Sequence, residues 1–595
     1  LSSSGKPELI FYGIPASPGI AIGCALAFNQ AINDFKEPPN IDITPEEVEG
    51  EHRKFDAALA QTKRELEEIQ QQLSSKVDTY DAAIFDAHML IVDDQGVVKE
   101  VKDMILRKLK PANFAFFKVI NRYIAAISAM QDEYIKERAD DIKDVATRII
   151  SNLNQTQRFS LNQIDTPKII VAPNLTPSDT STLDRKFVLG FAVETGSNTS
   201  HTAILARSMR IPAIVGVDKL VFEHLADNID VILDGFSGTL ILNPEPATLK
   251  TYQNKLEDEN RLYVDLIRES RLRPETTDGF IVQLASNLER LDEAETARKF
   301  GTGGIGLFRT EYIFINAETL PTEQEQFDIY RRLLESMSGE PVVIRTLDIG
   351  GDKMEKHIAD FSESNPFLGL RAVRLCLRER PDIFRTQIRA ILRASAFGNA
   401  KIMFPMISCA EEVVELKALI EKLKLELTTE GINFNPAIET GIMIETPAAA
   451  IIAPTLAGMV DFFSIGTNDL VQYTMAIDRS NEKVAYLYQP SHPAILELIQ
   501  RVVHAAEKNN IWVSVCGQMA GDPVYTPLLV GLGVHELSMS PTSLGQVRRI
   551  IRKISMHDAE KVAKQAMQCH TAAEALNYSV SFLNSINHDV SDGNL

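Results

Sequence analysis

Residues 441–474, GIMIETPAAAIIAPTLAGMVDFFSIGTNDLVQYT, contain two short apolar runs, each followed by a polar turn and then an amphipathic segment. Each half reads as a buried strand leading into a helix. Polar residues stand just past the strands: Glu445 after the first, Asn468 and Asp469 after the second.

The same unit recurs to either side. Candidate strands begin at IVQLA (281), IGLF (305), VVIRT (342), IMFPM (402), GIMIE (441), FFSIG (462), VSVCG (513) and ELSMS (536). Eight β/α units in roughly 300 residues predict a (β/α)8 TIM barrel over 274–595, with its active site at the C-terminal strand ends. Upstream, 246–273 is charged with a thin apolar stripe (Tyr252, Leu256, Leu262, Leu266) and reads as a linker helix that Pro274 closes. Short strands separated by Gly and Pro occupy 8–28, and KIIVAP, FVLGFAVE and IDVILDG continue that texture from 168. Together they predict a small α/β domain formed by 1–34 and 154–245. Between its halves, 35–153 is helical. Thr44, Pro45 and Glu47 make a helix start, and Phe55, Leu59, Thr62, Leu66, Ile69 and Leu73 mark a packing seam spaced alternately by four and three. The fold class is therefore multidomain α/β: an α/β domain with an inserted helical subdomain, then the barrel.

Composition limits the function. The 595 residues are 45% apolar and 24% charged, as in ordinary globular proteins, and the length suits several domains. A formal charge of −20 argues against nucleic acid or an anionic membrane as partner and suits a basic protein. The five cysteines are scattered with no C-x-x-C pair, which fits a reducing cytoplasm and offers no zinc site. No apolar run approaches the roughly 20 residues of a membrane span, and the N-terminal stretch lacks a signal-peptide core, so a cytoplasmic location is expected.

The strand ends carry an unusual set of side chains. Arg309 follows the second strand, Arg345 the third, Glu445 the fifth, Asn468 and Asp469 the sixth, and Cys516 the seventh; Arg371 and Arg479 come from loops. Guanidinium groups hold phosphate and carboxylate bidentately, and two carboxylates with substrate oxygens and water suffice for Mg2+. Each residue alone has an ordinary explanation: a surface ion pair, a helix cap, or a small core residue for Cys516. Their coincidence at one rim points to an anionic, metal-chelated substrate. Gly350, Gly351 and Lys353 read as a tight loop, and His357, His492 and His535 as structural. His201 stands apart, in SNTSHTAILAR at a helix start behind Thr199 and Ser200. There the helix dipole disfavours imidazolium and favours an anion, which leaves two readings: a surface histidine in a first helical turn, or a neutral nucleophile with an anionic product such as a phosphohistidine.

GSNTSHTAILAR, FRTEY, RTLDIGGDK, DFFSIGTNDLVQYTMAIDR and CGQMAGD closely resemble the Enzyme I family of the bacterial sugar phosphotransferase system, within the PEP-utilizing enzymes. The resemblance covers nearly the whole chain in the same domain order. It implies phosphoenolpyruvate–protein phosphotransferase activity, with His201 as phosphoryl acceptor. Glu445 and Asp469 are then the Mg2+ ligands, and Arg309, Arg345, Arg371 and Arg479 hold phosphate and carboxylate with Asn468 as a polar contact. It also implies that Cys516 protonates the methylene carbon of the pyruvate enolate. Residues 35–153 become the docking subdomain for the phosphocarrier HPr, the domain bearing His201 swivels, and the barrel dimerises. One departure precedes His201, where Ser197 and Asn198 follow Gly196 in place of the family's usual Gly-Arg or Gly-x. A dikinase of the same family would need an ATP-grasp module, for which the 200 residues before His201 leave no room. A carbon–carbon lyase leaves His201 without a task, and a non-catalytic relative should have lost part of the rim. The sugar-uptake and nitrogen-regulatory branches, the latter usually with a further N-terminal sensor domain, both stay open, as does the choice of HPr paralogue.

Overall fold

In the computed structural model the chain divides into two compact units, Leu1–Arg261 and Leu262–Leu595. The structure describes residues 7–28, 37–74, 88–89, 91–128, 133–155, 161, 164–175, 179, 186–195, 202–203, 206, 211–315, 319–350, 358, 363, 365–479, 481 and 483–588.

The first unit is built on β1 (Leu9–Tyr12), β2 (Ile14–Ser17), β3 (Ile20–Ala27), β4 (Lys168–Ala172), β5 (Val188–Val193), β6 (Ala213–Val215), β7 (Asp230–Asp234) and β8 (Thr239–Leu242). These form one eight-stranded sheet in the order β1-β8-β7-β3-β4-β5-β6-β2. The run β3-β4-β5-β6 is parallel, and the outer pairings are antiparallel. Alternation of side chains along a strand explains two separate cores. On β4, Ile170 and Ala172 pack on one face with Phe191 and Ala206, while Ile169 and Val171 pack on the other with Leu233 and Leu240.

Between β3 and β4 the chain forms α1 (Val48–Ser74), α2 (Gln95–Lys108), α3 (Ala112–Ser128) and α4 (Glu133–Asn154), which share a core of their own. Ahead of α1 only half of the expected capping box is made: Glu47 accepts from the Thr44 backbone N–H at 2.7 Å and from its hydroxyl at 2.9 Å, the Glu47 N–H donates to the Thr44 carbonyl as a turn, and the helix begins at Val48. Phe55 stacks obliquely against Phe116 of α3, and buried Thr62 accepts from Asn152 of α4 at 2.9 Å. Leu73 lies outside the described side chains. Helix α5 (Pro246–Arg268) is mostly exposed, with Leu266 buried, and tightens into a 3-10 turn at Glu269–Arg271.

The second unit holds β9 (Gln283–Leu288), β10 (Ile305–Phe308), β11 (Val342–Arg345), β12 (Ala400–Phe404), β13 (Glu439–Ile444), β14 (Phe462–Ile465), β15 (Trp512–Val515) and β16 (Glu536–Met539). All eight expected strands are present, all pair in parallel, and β16 closes on β9 to complete the barrel. Inside it Leu307, Val343, Met403, Met443, Phe462 and Cys516 pack together, while the outer faces pack on the helices. Gly441 makes room for this filling, since a Cβ there would stand 2.4 Å from the Phe462 ring. At the N-terminal ends of the strands Phe462 stacks on Trp512 with centroids 4.4 Å apart. The Trp512 indole N–H donates to Glu439 at 3.3 Å, and Lys401 pairs with the same carboxylate at 2.7 Å. Among the described residues no helix is long and apolar enough to cross a membrane.

Candidate active site

The C-terminal rim of the barrel gathers most of the side chains singled out in the sequence. Arg345 is the last residue of β11, Glu445 follows β13, and Cys516 follows β15. Three helices matter here: α6 (Glu311–Ile315) after β10, α7 (Val373–Arg378) just after Arg371, and α8 (Thr467–Met475), which carries Asn468 and Asp469. Gly466 and Gly517 permit this convergence. A Cβ on Gly466 would lie 2.8 Å from Glu445 Oε2, and one on Gly517 only 1.9 Å from Thr467 Oγ1.

Two arginines are buried at the centre. Arg371 makes a fork to Asp348 (Nε–Oδ1 2.9 Å, Nη2–Oδ2 3.0 Å), reaches Asp469 at 2.8 Å and donates to the Tyr473 hydroxyl at 3.0 Å. Arg345 pairs with Asp348 at 3.0 Å and Glu311 at 3.1 Å. Burial alone would lower both guanidinium pKa values, but the facing carboxylates outweigh it and raise them. Arg479 is more exposed, 3.9 Å from Asp469, and Arg309 pairs with exposed Glu289. Next to Arg371, Gly350 takes a φ of +148°, where a Cβ would meet the Arg371 Cβ at 2.6 Å. Gly351, Lys353 and His357 lie outside the described residues. His492 caps a helix by accepting from the Ala494 N–H at 3.2 Å, and His535 accepts from the Val513 N–H at 3.2 Å.

Asp348, Glu445 and Asp469 each turn an oxygen into one cluster whose members lie within 4.8 Å of one another. Glu445 is 1% exposed and accepts from the Met406 N–H at 2.6 Å. Burial first, and then the charges of Asp469 and Asp348, push its carboxyl well above the ordinary range, against the pull of Arg371 and Arg345. The Oδ1 of Asp469 is buried with no hydrogen-bond partner. Hard oxygen donors, an orphaned carboxylate oxygen and a carboxyl forced towards neutrality together fit a hard divalent cation. Asp348 and Glu311 are not among the strand-end side chains singled out in the sequence. Asp348 stands three residues beyond Arg345 and Glu311 two beyond Arg309, so their signal was the acidic residue that accompanies each strand-end arginine.

Cys516 is 3% exposed at the junction of this rim with the apolar barrel interior. Its sulfur accepts from the Ser464 hydroxyl at 3.2 Å, and Ser464 in turn accepts from Ser514 at 2.9 Å. Burial pushes the thiol up to about 11, with the Ser464 hydrogen bond and Arg345 acting the other way, so it is protonated at neutral pH. Asn468 Oδ1 accepts from the Gln518 N–H at 2.9 Å and the Tyr488 hydroxyl at 3.4 Å, which sets the amide plane. His201 lies outside the described residues, as do 196–200; beside it, Thr202 is buried and donates to the Leu175 carbonyl at 3.3 Å.

Comparison with known proteins adds three matches in chain order. The N-terminal domain model of PEP-utilising enzymes matches residues 12–138, the mobile-domain model 164–238 and the PEP-binding domain model 266–556. The chain belongs to the PEP-utilising enzyme family. Within this family it is 44% identical over 574 residues to the phosphoenolpyruvate-protein phosphotransferase of Geobacillus stearothermophilus, covering 96% of this chain and 98% of that one. The phosphoenolpyruvate-protein phosphotransferases of Bacillus subtilis and Staphylococcus aureus are 43% and 42% identical, each over 95% of this chain and 98% of theirs. The PEP-binding match spans every rim residue described above, and the mobile-domain match spans position 201.

Proposed function

We propose that this chain is a phosphoenolpyruvate–protein phosphotransferase that phosphorylates its own His201 from phosphoenolpyruvate, releases pyruvate, and passes the phosphoryl group to a histidine of HPr. The observation that carries the reading is the rim itself, where buried arginines face a three-carboxylate cluster. That arrangement serves a small, highly charged anion bound with a cation, and the family match supports the same substrate.

Arg345 and Arg371, with Arg309 and Arg479 nearer solvent, hold the phosphate and carboxylate of the substrate, and Asn468 adds a polar contact. Glu445 and Asp469, with Asp348 beside them, would hold Mg2+, which supplies positive charge for the phosphoryl oxygens and the developing enolate. Phosphoryl transfer asks the protein mainly for in-line positioning and charge stabilisation, and the buried guanidinium groups of Arg345 and Arg371 suit both. Neutral His201 forms the N–P bond as the bond from phosphorus to the enol oxygen breaks. The Cys516 thiol then gives its proton to the methylene carbon, and the thiolate left behind takes one from solvent. A thiol that titrates at about 11 is in the acid form this step needs.

The sheet domain of 1–34 and 154–245 carries the phosphohistidine, 35–153 docks HPr, 246–273 links, and 274–595 binds substrate and forms a homodimer. A location in the cytoplasm suits five cysteines that are all unpaired. Incubation with phosphoenolpyruvate and Mg2+ tests the reading. It should leave one acid-labile phosphate per chain, transferable to HPr and absent in His201→Ala. Full labelling of that variant would refute the nucleophile.

A further inference from the structure

Glu311 takes no part in the transfer steps themselves, yet it is one of the few buried carboxylates of the barrel, 7% exposed. We infer that Glu311 is a positioning residue, which sets the plane of the Arg345 guanidinium and the backbone of Asp348 so that the arginine pair meets the substrate in one geometry. The inference rests on the phosphotransfer reading above.

Its two oxygens do different work. Oε1 accepts from the Asp348 N–H at 2.9 Å, and Oε2 lies 3.1 Å from Arg345 Nη2. Arg345 Nη1 is taken by Asp348 Oδ2 at 3.0 Å. A guanidinium gripped at one terminal nitrogen can still turn about its last torsions, whereas one gripped at both cannot. Glu311 supplies the second grip on Arg345 and also anchors the residue that supplies the first. The chain then continues, because Asp348 holds Arg371 by a fork and Arg371 reaches Asp469. Glu311 is the end of this relay, outside the acidic cluster, and it acts on the substrate through Arg345 and Asp348. Its own placement is local to the sequence: it opens α6 immediately behind Thr310, whose hydroxyl donates to the Arg345 carbonyl at 2.9 Å.

Charge and position make opposite demands, and Glu311→Gln separates them. Removing a negative charge beside a cationic anion site should by itself tighten anion binding. Releasing the guanidinium plane should instead slow transfer, since a misplacement of about 1 Å can cost roughly 100-fold in rate. The experiment uses the full chain. It measures the rate of His201 phosphorylation at saturating phosphoenolpyruvate with Mg2+, the Kd for phosphoenolpyruvate, Mn2+ binding by electron paramagnetic resonance, and the melting temperature. The expected result for Glu311→Gln is a rate lower by about tenfold or more, a Kd within about threefold of wild type, and unchanged Mn2+ binding and melting temperature. A rate within about twofold of wild type, whether or not binding tightens, overturns the inference. So does a joint fall of rate, Mn2+ affinity and melting temperature, which would make Glu311 a packing support. A wild-type chain that takes no phosphate from phosphoenolpyruvate would instead overturn the reading of function.

Discussion

Replacing Glu536 by glutamine should stabilise the barrel at pH 8 and leave it unchanged near pH 4. Glu536 opens β16 at the N-terminal end of the barrel, opposite the rim that carries the site. Its Oε1 is buried without a hydrogen-bond partner, packed so closely on Gly306 that a Cβ there would stand 2.8 Å away. Burial pushes the carboxyl up to about 7, and Lys401, the charge that opposes this, is already paired with Glu439 at 2.7 Å. A carboxyl that titrates at about 7 when folded and at 4.5 when unfolded carries a penalty of about 3 kcal/mol once ionised. Between these values the native state keeps a proton that the unfolded chain has lost, so stability falls as pH rises. The slope approaches about 1.4 kcal/mol per pH unit and flattens above pH 7. Glutamine has nothing to titrate there. The stability of Glu536→Gln relative to wild type should therefore rise by about 3 kcal/mol from pH 4 to pH 8. The chain has one tryptophan, Trp512, which stacks on Phe462 in the barrel, so its fluorescence in urea follows this unit. Taking the difference between the two proteins removes the contribution of Glu445, which shifts in the same direction. A difference that stays constant from pH 4 to pH 8, or that favours wild type at the higher pH, would refute the reasoning.

Three further outcomes can be checked. Cys516→Ala should abolish exchange of pyruvate methyl protons with deuterated water while phosphoenolpyruvate binding persists by calorimetry. Undiminished exchange in the folded variant would return the thiol to a packing role. Asp469→Asn should weaken the Mg2+ dependence of autophosphorylation by at least about tenfold, because it removes a carboxylate from the cluster and a partner from Arg371; an unaltered Mg2+ titration would exclude Asp469 as a ligand. Gly517→Ala should destabilise the barrel by about 1–3 kcal/mol or more and weaken phosphoenolpyruvate binding, since the new methyl would strike Thr467 and press on Asn468; wild-type stability would show that the β15–α8 junction yields.

What the sequence determined by itself was periodic or local. Eight apolar runs, each short and each followed by a helical pattern, were enough for the barrel, because a parallel strand buried on both faces leaves an unbroken hydrophobic signature. The inserted helices announced themselves through a capping box and a seam, both properties of consecutive residues. Side chains at strand ends could be named as candidates because the closed barrel sends all those ends to one rim. Only the tertiary structure decided which of them touch. Arg371 meets Asp348 across 23 residues of chain and Asp469 across 98, and Glu311 meets Asp348 across 37. A run of letters carries no record of such distances. Burial was equally invisible: Glu445, Cys516 and Glu536 are ordinary acids in the sequence, and their pKa values are raised chiefly because the closed barrel removes water from around them, with the charges of Asp469 and Asp348 adding to the shift of Glu445.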